Sequence, residues 1–147
     1  MRKLSDKIFI CFSAKDRYDI AQPIVYHLKN YGIDVWYDRY EMVMGDNRLK
    51  KNIDEGAGTS KYAIIILSSN TITSLCAREE IQILKSRYFK GEVTIFPVLY
   101  ELKPLDIPPY IVKSFFLENQ GFFSVSSINI SEEGAIGMDI SLYLVRK

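Results

Sequence analysis

Side chains that could bind and transform a polar ligand are concentrated in one segment of the sequence. Ser68 and Asn70 follow the apolar stretch Ala63–Leu67, and Glu79 and Glu80 come shortly afterwards. Hydroxyl and amide groups can hold a ligand, and a carboxylate can bind hydroxyl groups and stabilise positive charge that develops in a transition state. The stretch Ala63–Leu67 predicts a strand buried on both faces, and ligands of parallel α/β sheets bind at the carboxyl ends of such strands.

The helical spacing of the following residues distinguishes the two glutamates. Four apolar residues at intervals of four, three and four predict one buried helix face: Ala77, Ile81, Leu84 and Tyr88. Glu80 lies at the edge of this face, whereas Glu79 lies about 100° further round, towards solvent. Glu80 is therefore the candidate functional carboxylate. The alternative is a solvated carboxylate that pairs with Arg78 or Lys85.

Composition restricts the class of protein. The 147 residues fit one domain, predicted to span 1–147, and 48% hydrophobic residues predict a substantial core. The formal charge of +1 provides no general field for nucleic acid or for an anionic membrane. The two cysteines have no metal-binding or redox spacing, and no apolar stretch is long enough to span a bilayer. We expect a cytoplasmic protein without a metal site, although it could derive from a larger one.

The first predicted strand ends in polar residues. Lys7–Phe12 is a compact apolar run, and Ser13, Asp16 and Arg17 follow it in what we predict to be a loop. Turn and capping roles are one interpretation of these three side chains. The other is that this first loop supplies a hydroxyl, backbone amides and a cation to a ligand at the carboxyl edge of the sheet.

The next connection combines apolar and turn-forming residues. A helix is predicted from near Asp19 to Gly32, with Pro23 in its first turn, followed by a strand at 33–37. The loop that comes next contains Met42, Val43 and Met44, which predict a hydrophobic plug or a contact surface because loops are normally polar. Gly45 would permit a positive φ, and Asp46 could cap the following helix.

The remaining sequence continues the alternation of strands and helices. After the Glu80 helix we predict strands at 93–100 and 122–125 and helices at 110–117 and 136–144. Five alternations predict an α/β fold of flavodoxin-like type. This is a three-layer sandwich in which helices cover both faces of a central parallel five-stranded sheet.

Three segments in this order resemble the Toll/interleukin-1 receptor (TIR) domain family, over residues 7–100 most strongly. Lys7–Asp16 is similar to the family's first box, and Gly32–Asp38 with Gly45 is similar to its second strand and BB loop. Ser68–Ile81 resembles the pattern S-x-N-x-x-x-S-x-W-C-x-x-E-L. Aligning on Ser68, Asn70, Ser74 and Ile81 assigns the family's glutamate to Glu80, whereas aligning on Cys76 alone would assign it to Glu79.

The resemblance implies one of two functions. TIR domains of the bacterial NADase-like type hydrolyse or cyclise NAD+ by splitting the bond between nicotinamide and ribose, and they act in immune or anti-phage signalling after self-assembly. Other TIR domains are adaptors without catalytic activity that act through homotypic TIR–TIR contacts. For this chain we expect the enzymatic function, with NAD+ as substrate and no cofactor, and keep the adaptor as the alternative.

The resemblance also assigns roles to individual residues. Glu80 would be the catalytic carboxylate, and Ser13 and Asp38 would line the pocket. Arg17 or Lys15 would meet the pyrophosphate. Trp36 would stack on a flat ring or belong to the core. The gate or assembly surface would be the loop of Met42, Val43, Met44, Gly45 and Asp46.

Two positions depart from the family pattern. Cys76 stands where the family commonly has tryptophan, so it would line the pocket without providing an aromatic wall, and Asn47 replaces a bulky residue after the loop glycine. Two other families with this architecture fit less well. A receiver domain would need an aspartate where Ser68 stands, and a dinucleotide-binding Rossmann domain would need a glycine-rich turn after the first strand.

Overall fold

The structure is a computed structural model that describes residues 7–103, 106–108 and 123–125. These residues form a sheet in the order β2-β1-β3-β4-β5, in which every neighbouring pair is parallel. The strands are β1 (Ile8–Cys11), β2 (Val35–Trp36), β3 (Tyr62–Leu67), β4 (Thr94–Tyr100) and β5 (Phe123–Val125). The predicted α/β fold with a parallel sheet is confirmed.

Five α-helices connect these strands in the described part of the chain, together with segments of other helical types. They are α1 (Gln22–Asn30), α2 (Asp38–Glu41), α3 (Arg48–Lys51), α4 (Ser69–Thr73) and α5 (Leu75–Phe89). A 3-10 turn (Ala14–Asp16) and a π-helical segment (Arg17–Ala21) precede α1, and a second π-helical segment (Asn52–Ala57) follows α3.

The sheet separates two hydrophobic cores, because successive side chains of a strand point to opposite faces. On one face, α1 packs its buried residues Ile24 and Leu28 against Ile8 of β1 and Ile64 of β3. On the other face, α5 and the second π-helical segment pack against the alternate strand residues. That second core includes Phe9, Cys11, Ala57, Ile65, Ala77, Ile81 and Leu84. The two faces together give the predicted three layers.

The segment after β1 is more helical than the sequence predicts. We expected a loop at Ser13–Arg17, but the chain turns at once into the 3-10 turn and the π-helical segment, and α1 begins only at Gln22. Ser13 caps the start, since its Oγ accepts from Lys15 N at 3.3 Å. Burial of Ile20 and Ala21 favours a compact helical path over a loop.

The start of α3 and the end of the chain differ in what can be compared with the predictions: the first is described by the structure, and the second is not. Asp46 was expected to cap α3, but Asn47 does so, since its Oδ1 accepts from Lys50 N at 3.1 Å. The predicted helices at 110–117 and 136–144 lie outside the described residues.

Candidate active site

The candidate site lies at the carboxyl edge of the sheet, where the segments after β1, β2 and β3 meet. Helix α5 reaches this edge, because Cys11 Sγ, at the end of β1, lies 3.8 Å from the carbonyl oxygen of Ala77 in the first turn of α5. Glu80 follows Ala77 by one helical turn and lies on the same side of the helix. The topology therefore holds Glu80 beside the first strand, one helical turn further than Ala77 from the carboxyl edge where ligands of parallel sheets bind.

Glu80 is buried, with 3% of its surface exposed, and Glu79 is exposed. This is the orientation that the helical spacing predicts. A buried carboxylate is costly unless polar partners compensate for the lost water. Glu80 has such a partner, since Asn52 Nδ2 donates to its Oε2 at 3.3 Å.

Asn52 connects Glu80 to Trp36. The indole Nε1–H of Trp36 donates to Asn52 Oδ1 at 3.2 Å, and both side chains are 4% exposed. Three segments that are distant in sequence thus share one chain of hydrogen bonds: the end of β2, the second π-helical segment and α5. Burial of Trp36 favours the core interpretation of this residue over stacking on a ligand.

Arg17 and Asp38 form a buried ion pair between the first connection and the start of α2. Arg17 Nη1 and Nη2 donate to Asp38 Oδ1 and Oδ2 at 2.8 and 2.7 Å, and the side chains are only 7% and 8% exposed. The guanidinium also lies 5.0 Å from the ring centre of Phe12 and 5.2 Å from that of Tyr37. The hydrogen bonds to Asp38 raise the pKa of Arg17 further above its usual range, so the guanidinium stays charged.

A second polar cluster ties the first connection to the start of α4. Asp16 is 1% exposed and accepts from Ser68 Oγ through Oδ2 and from Asn70 Nδ2 through Oδ1, the latter at 2.7 Å. Ser68 also caps α4 in a capping box with Thr71. The Ser68 and Asn70 side chains of the family-like pattern therefore anchor one loop to another.

Ser13, Lys15 and Cys76 complete the predicted pocket residues. Ser13 is buried, and its hydroxyl accepts from the backbone N–H of Lys15, whose side chain is exposed. Cys76 is half-buried and free of any disulfide. It precedes Glu80 by four residues and so lies one turn away on the same helix face.

The loop between α2 and α3 contrasts with these buried groups. Val43 is 74% exposed and Met44 is fully exposed, whereas Met42 is only partly exposed. Gly45 has the positive φ that its type suggests, at 100°. Asp46 closes the turn on itself: its N–H donates to Val43 O at 3.1 Å, and its Oδ2 accepts from Val43 N at 2.9 Å.

Asn52 and Asp16 are the site residues that sequence reasoning did not select. The sequence places Asp16 in the first loop without assigning it a role of its own at the site, and nothing in a single sequence shows that it meets Ser68, which lies 52 positions away. The sequence does indicate that Asn52 lies in an amphipathic helical segment, because it directly precedes the apolar residue Ile53. Only the tertiary fold shows that this side chain faces Trp36 and Glu80.

The described ranges contain no group of three or more histidine, cysteine, aspartate or glutamate side chains placed to hold a metal ion. Among the same residues, no helix combines the length and the apolar character needed to cross a membrane.

Comparison with known proteins places these features in a family. The family model described as TIR domain matches residues 8–126. The chain is 30% identical over 103 residues to the 2′ cyclic ADP-D-ribose synthase AbTIR of Acinetobacter baumannii, a match that covers 70% of this chain and 38% of that protein. It is 31% identical over 94 residues to the 2′ cyclic ADP-D-ribose synthase BtTIR of Bacteroides thetaiotaomicron, covering 64% and 32%.

A third relative carries a different activity in its name. The NAD(+) hydrolase TcpA of a Theionarchaea archaeon is 30% identical over 91 residues, covering 62% of this chain and 27% of that protein. The chain thus spans about a third of the length of these curated relatives.

A solved structure shares the fold. The TIR domain of the Toll-related receptor TRR-2 from Hydra magnipapillata aligns with a TM-score of 0.67 and 18% identity, covering 95% of this chain and 98% of that one.

Proposed function

The chain belongs to the TIR domain family, and from this premise we propose that it cleaves the bond between nicotinamide and ribose in NAD+. The names of three relatives with 30 to 31% identity, two cyclic ADP-ribose synthases and one NAD+ hydrolase, support this chemistry. The observation that carries the proposal is the burial of Glu80 beside the carboxyl edge of the sheet, hydrogen-bonded to Asn52.

The reaction requires little machinery from the protein. When the bond between ribose C1′ and the nicotinamide nitrogen breaks, its electron pair leaves with nicotinamide, which becomes neutral, and positive charge develops on the ribose. A carboxylate beside the ribose can stabilise this charge and bind the ribose hydroxyls. Water or a hydroxyl of the same molecule then attacks C1′ and loses a proton. Water gives ADP-ribose, and the internal hydroxyl gives a cyclic isomer.

The other predicted site residues take different parts in this proposal. Ser13 and Cys76 line the substrate pocket beside Glu80. Arg17 and Asp38 act together: because they form a bidentate pair, they fix the wall formed by the first connection and α2. NAD+ enters as the substrate, and no cofactor is part of the proposal.

We further propose that activity depends on self-association, through the exposed loop tip formed by Val43 and Met44. Two large apolar side chains on a polar loop are costly to leave in water, so a contact with a second copy would bury them. The same loop supports the alternative function, an adaptor that acts through homotypic contacts in immune signalling and has no turnover. The proposed setting for either function is the cytoplasm.

Release of nicotinamide from NAD+ tests the proposal. The chain is assayed at high protein concentration and with a crowding agent, beside Glu80→Ala and Glu79→Ala. We expect turnover in the unchanged chain and in Glu79→Ala and none in Glu80→Ala. Loss with Glu79→Ala alone would move the catalytic role to Glu79. No turnover under any assembling condition would favour the adaptor.

A further inference from the structure

We infer that Asn52 is a positioning residue for Glu80, and that Trp36 holds Asn52 in the orientation that this requires. The inference rests on the proposed function, since it concerns how the candidate catalytic carboxylate is held. It starts from two hydrogen bonds among buried side chains: Trp36 Nε1 to Asn52 Oδ1 at 3.2 Å, and Asn52 Nδ2 to Glu80 Oε2 at 3.3 Å.

The chemistry of the three groups allows only one donor-to-acceptor direction along these two hydrogen bonds. The indole nitrogen of Trp36 is a donor and never an acceptor, so it must meet the oxygen of the Asn52 amide. The amide nitrogen of Asn52 then faces Glu80. An amide turned the other way would place N–H against N–H at Trp36 and oxygen against oxygen at a carboxylate. Trp36 therefore determines that Asn52 presents a donor to Glu80.

The backbone around Asn52 is built to bring these groups together. Asn52 opens the π-helical segment, and Gly56 lies about one turn further on. A Cβ at Gly56 would stand 2.5 Å from the ring of Phe9 and 2.9 Å from Trp36 Nε1. Only glycine permits this approach, so the segment packs directly on the indole that Asn52 contacts.

A fixed carboxylate has a clear use in the proposed reaction. A glutamate side chain has three rotatable bonds, and a hydrogen bond to one oxygen restricts the plane in which the other oxygen lies. Stabilising the charge on a ribose requires the carboxylate to be oriented before the bond breaks, and small misplacements of reacting groups reduce rates strongly. Asn52 supplies this orientation from a segment that the substrate does not have to touch.

The experiment separates positioning from packing. Asn52→Leu keeps the branched shape and the number of side-chain heavy atoms but removes both hydrogen bonds, and Asn52→Asp keeps the shape but replaces the donor with an acceptor. Trp36→Phe removes the indole N–H together with the five-membered ring, so part of the packing of Trp36 is lost as well. Asn30→Leu, at the exposed end of α1, is the matched control for an asparagine-to-leucine change. Each variant is assayed for kcat and KM with NAD+ under the assembling conditions, and its unfolding is measured in urea.

A second measurement does not depend on activity. The chain has one tryptophan, so its proton NMR spectrum contains one indole N–H signal. The chemical shift of this signal reports the hydrogen bond to Asn52. We expect this signal to move upfield and to exchange faster with solvent in Asn52→Leu, and to stay in place in Asn30→Leu.

For the kinetics we expect kcat to fall on the order of 10- to 100-fold in Asn52→Leu and in Asn52→Asp, with KM changed less than about threefold. Trp36→Phe should have a smaller effect, and none when Asn52 is already leucine, since the two act in series. Asn30→Leu should match the unchanged chain.

Two results would overturn the inference while leaving the proposed function intact. One is that the unchanged chain is active and Asn52→Leu has the same kcat, although the indole signal has moved. The other is an indole signal that Asn52→Leu does not move. An unchanged chain without turnover under any assembling condition would overturn the proposed function and, with it, the catalytic role of Asn52, whatever the indole signal shows.

Discussion

The polar groups at the carboxyl edge of the sheet and the loop at residues 42–46 are held in opposite ways. At the sheet edge, Arg17, Asp38 and Glu80 are less than a tenth exposed, and each bonds to a residue from a different part of the chain. In the loop, Val43 and Met44 project into solvent, and the turn is closed mainly by Asp46, three residues away from Val43.

This difference indicates that the two regions have different functions, chemistry at the sheet edge and contact with a partner at the loop. Charges fixed by long-range contacts in a buried setting are pre-organised for chemistry, and they can be moved only at a large cost in stability. An apolar loop tip fixed by local bonds costs little to change and is suited to contact with a partner. Changes at the edge should therefore alter stability or catalysis at every protein concentration, and changes at the loop tip should alter only association.

The largest effect on stability should come from Arg17→Leu. It leaves the Asp38 carboxylate buried without its bidentate partner, and such a loss costs about 3–5 kcal/mol. Unfolding in urea measures it, with Lys51→Leu as the control, because the more exposed pair of Lys51 and Asp46 should contribute little to stability.

If Arg17→Leu does not fold, the double change Arg17→Leu with Asp38→Leu should restore part of the stability, because neither charge of the pair is then left buried alone. If Arg17→Leu and Lys51→Leu lowered the free energy of unfolding equally, the contrast between the two regions would not hold.

A smaller effect should separate two helix caps. Ser68 and Ser74 cap α4 and α5, but Ser68 also donates to the buried Asp16. Ser74→Ala should cost about 1 kcal/mol, as lost caps do. Ser68→Ala should cost more, by about 1–3 kcal/mol for the donor that Asp16 loses. Urea unfolding of both variants checks this difference, and the reverse order would argue against the Asp16 cluster as an anchor.

The smallest effect should appear at the loop as pH falls. The backbone N–H of Val43, and next the ammonium of Lys51, lower the pKa of the exposed Asp46. Because the pKa is lowered in the folded state, Asp46 contributes to folding stability at pH values above its unfolded pKa. This contribution disappears as pH falls through the folded pKa, below about pH 4.

Amide exchange at Val43 should accelerate in this range, while the Asn52 side-chain amide keeps its protection. Asp46→Asn serves as the control, since it should abolish the pH dependence at Val43. A Val43 amide that exchanges at a pH-independent rate in the unchanged chain, after correction for intrinsic exchange, would contradict this account of the turn.

Much of the fold could be predicted because it depends on local periodicity. The alternating strands and the stripe of Ala77, Ile81 and Leu84 determine the layers, and the same stripe orients Glu80 towards the interior. The positive φ of Gly45 and the exposed apolar tip were also predictable, since both are properties of a short segment.

Partners across the fold could not be predicted from one sequence. The pairing of Arg17 with Asp38 spans 21 positions, and that of Asn52 with Glu80 spans 28. Residue type indicates that each side chain needs a partner when buried, but many partners satisfy that need. The helical path after Ser13 was missed for a related reason: the polar residues there favour a loop locally, and tertiary burial of Ile20 and Ala21 outweighs that preference.

The most direct test measures nicotinamide release per chain across a wide range of protein concentrations, for the unchanged chain, Glu80→Gln and Met44→Asp. The account predicts turnover that rises with concentration, a loss of at least about 1,000-fold in Glu80→Gln at every concentration, and a Met44→Asp curve displaced to higher concentration. Turnover by Glu80→Gln near that of the unchanged chain would contradict it.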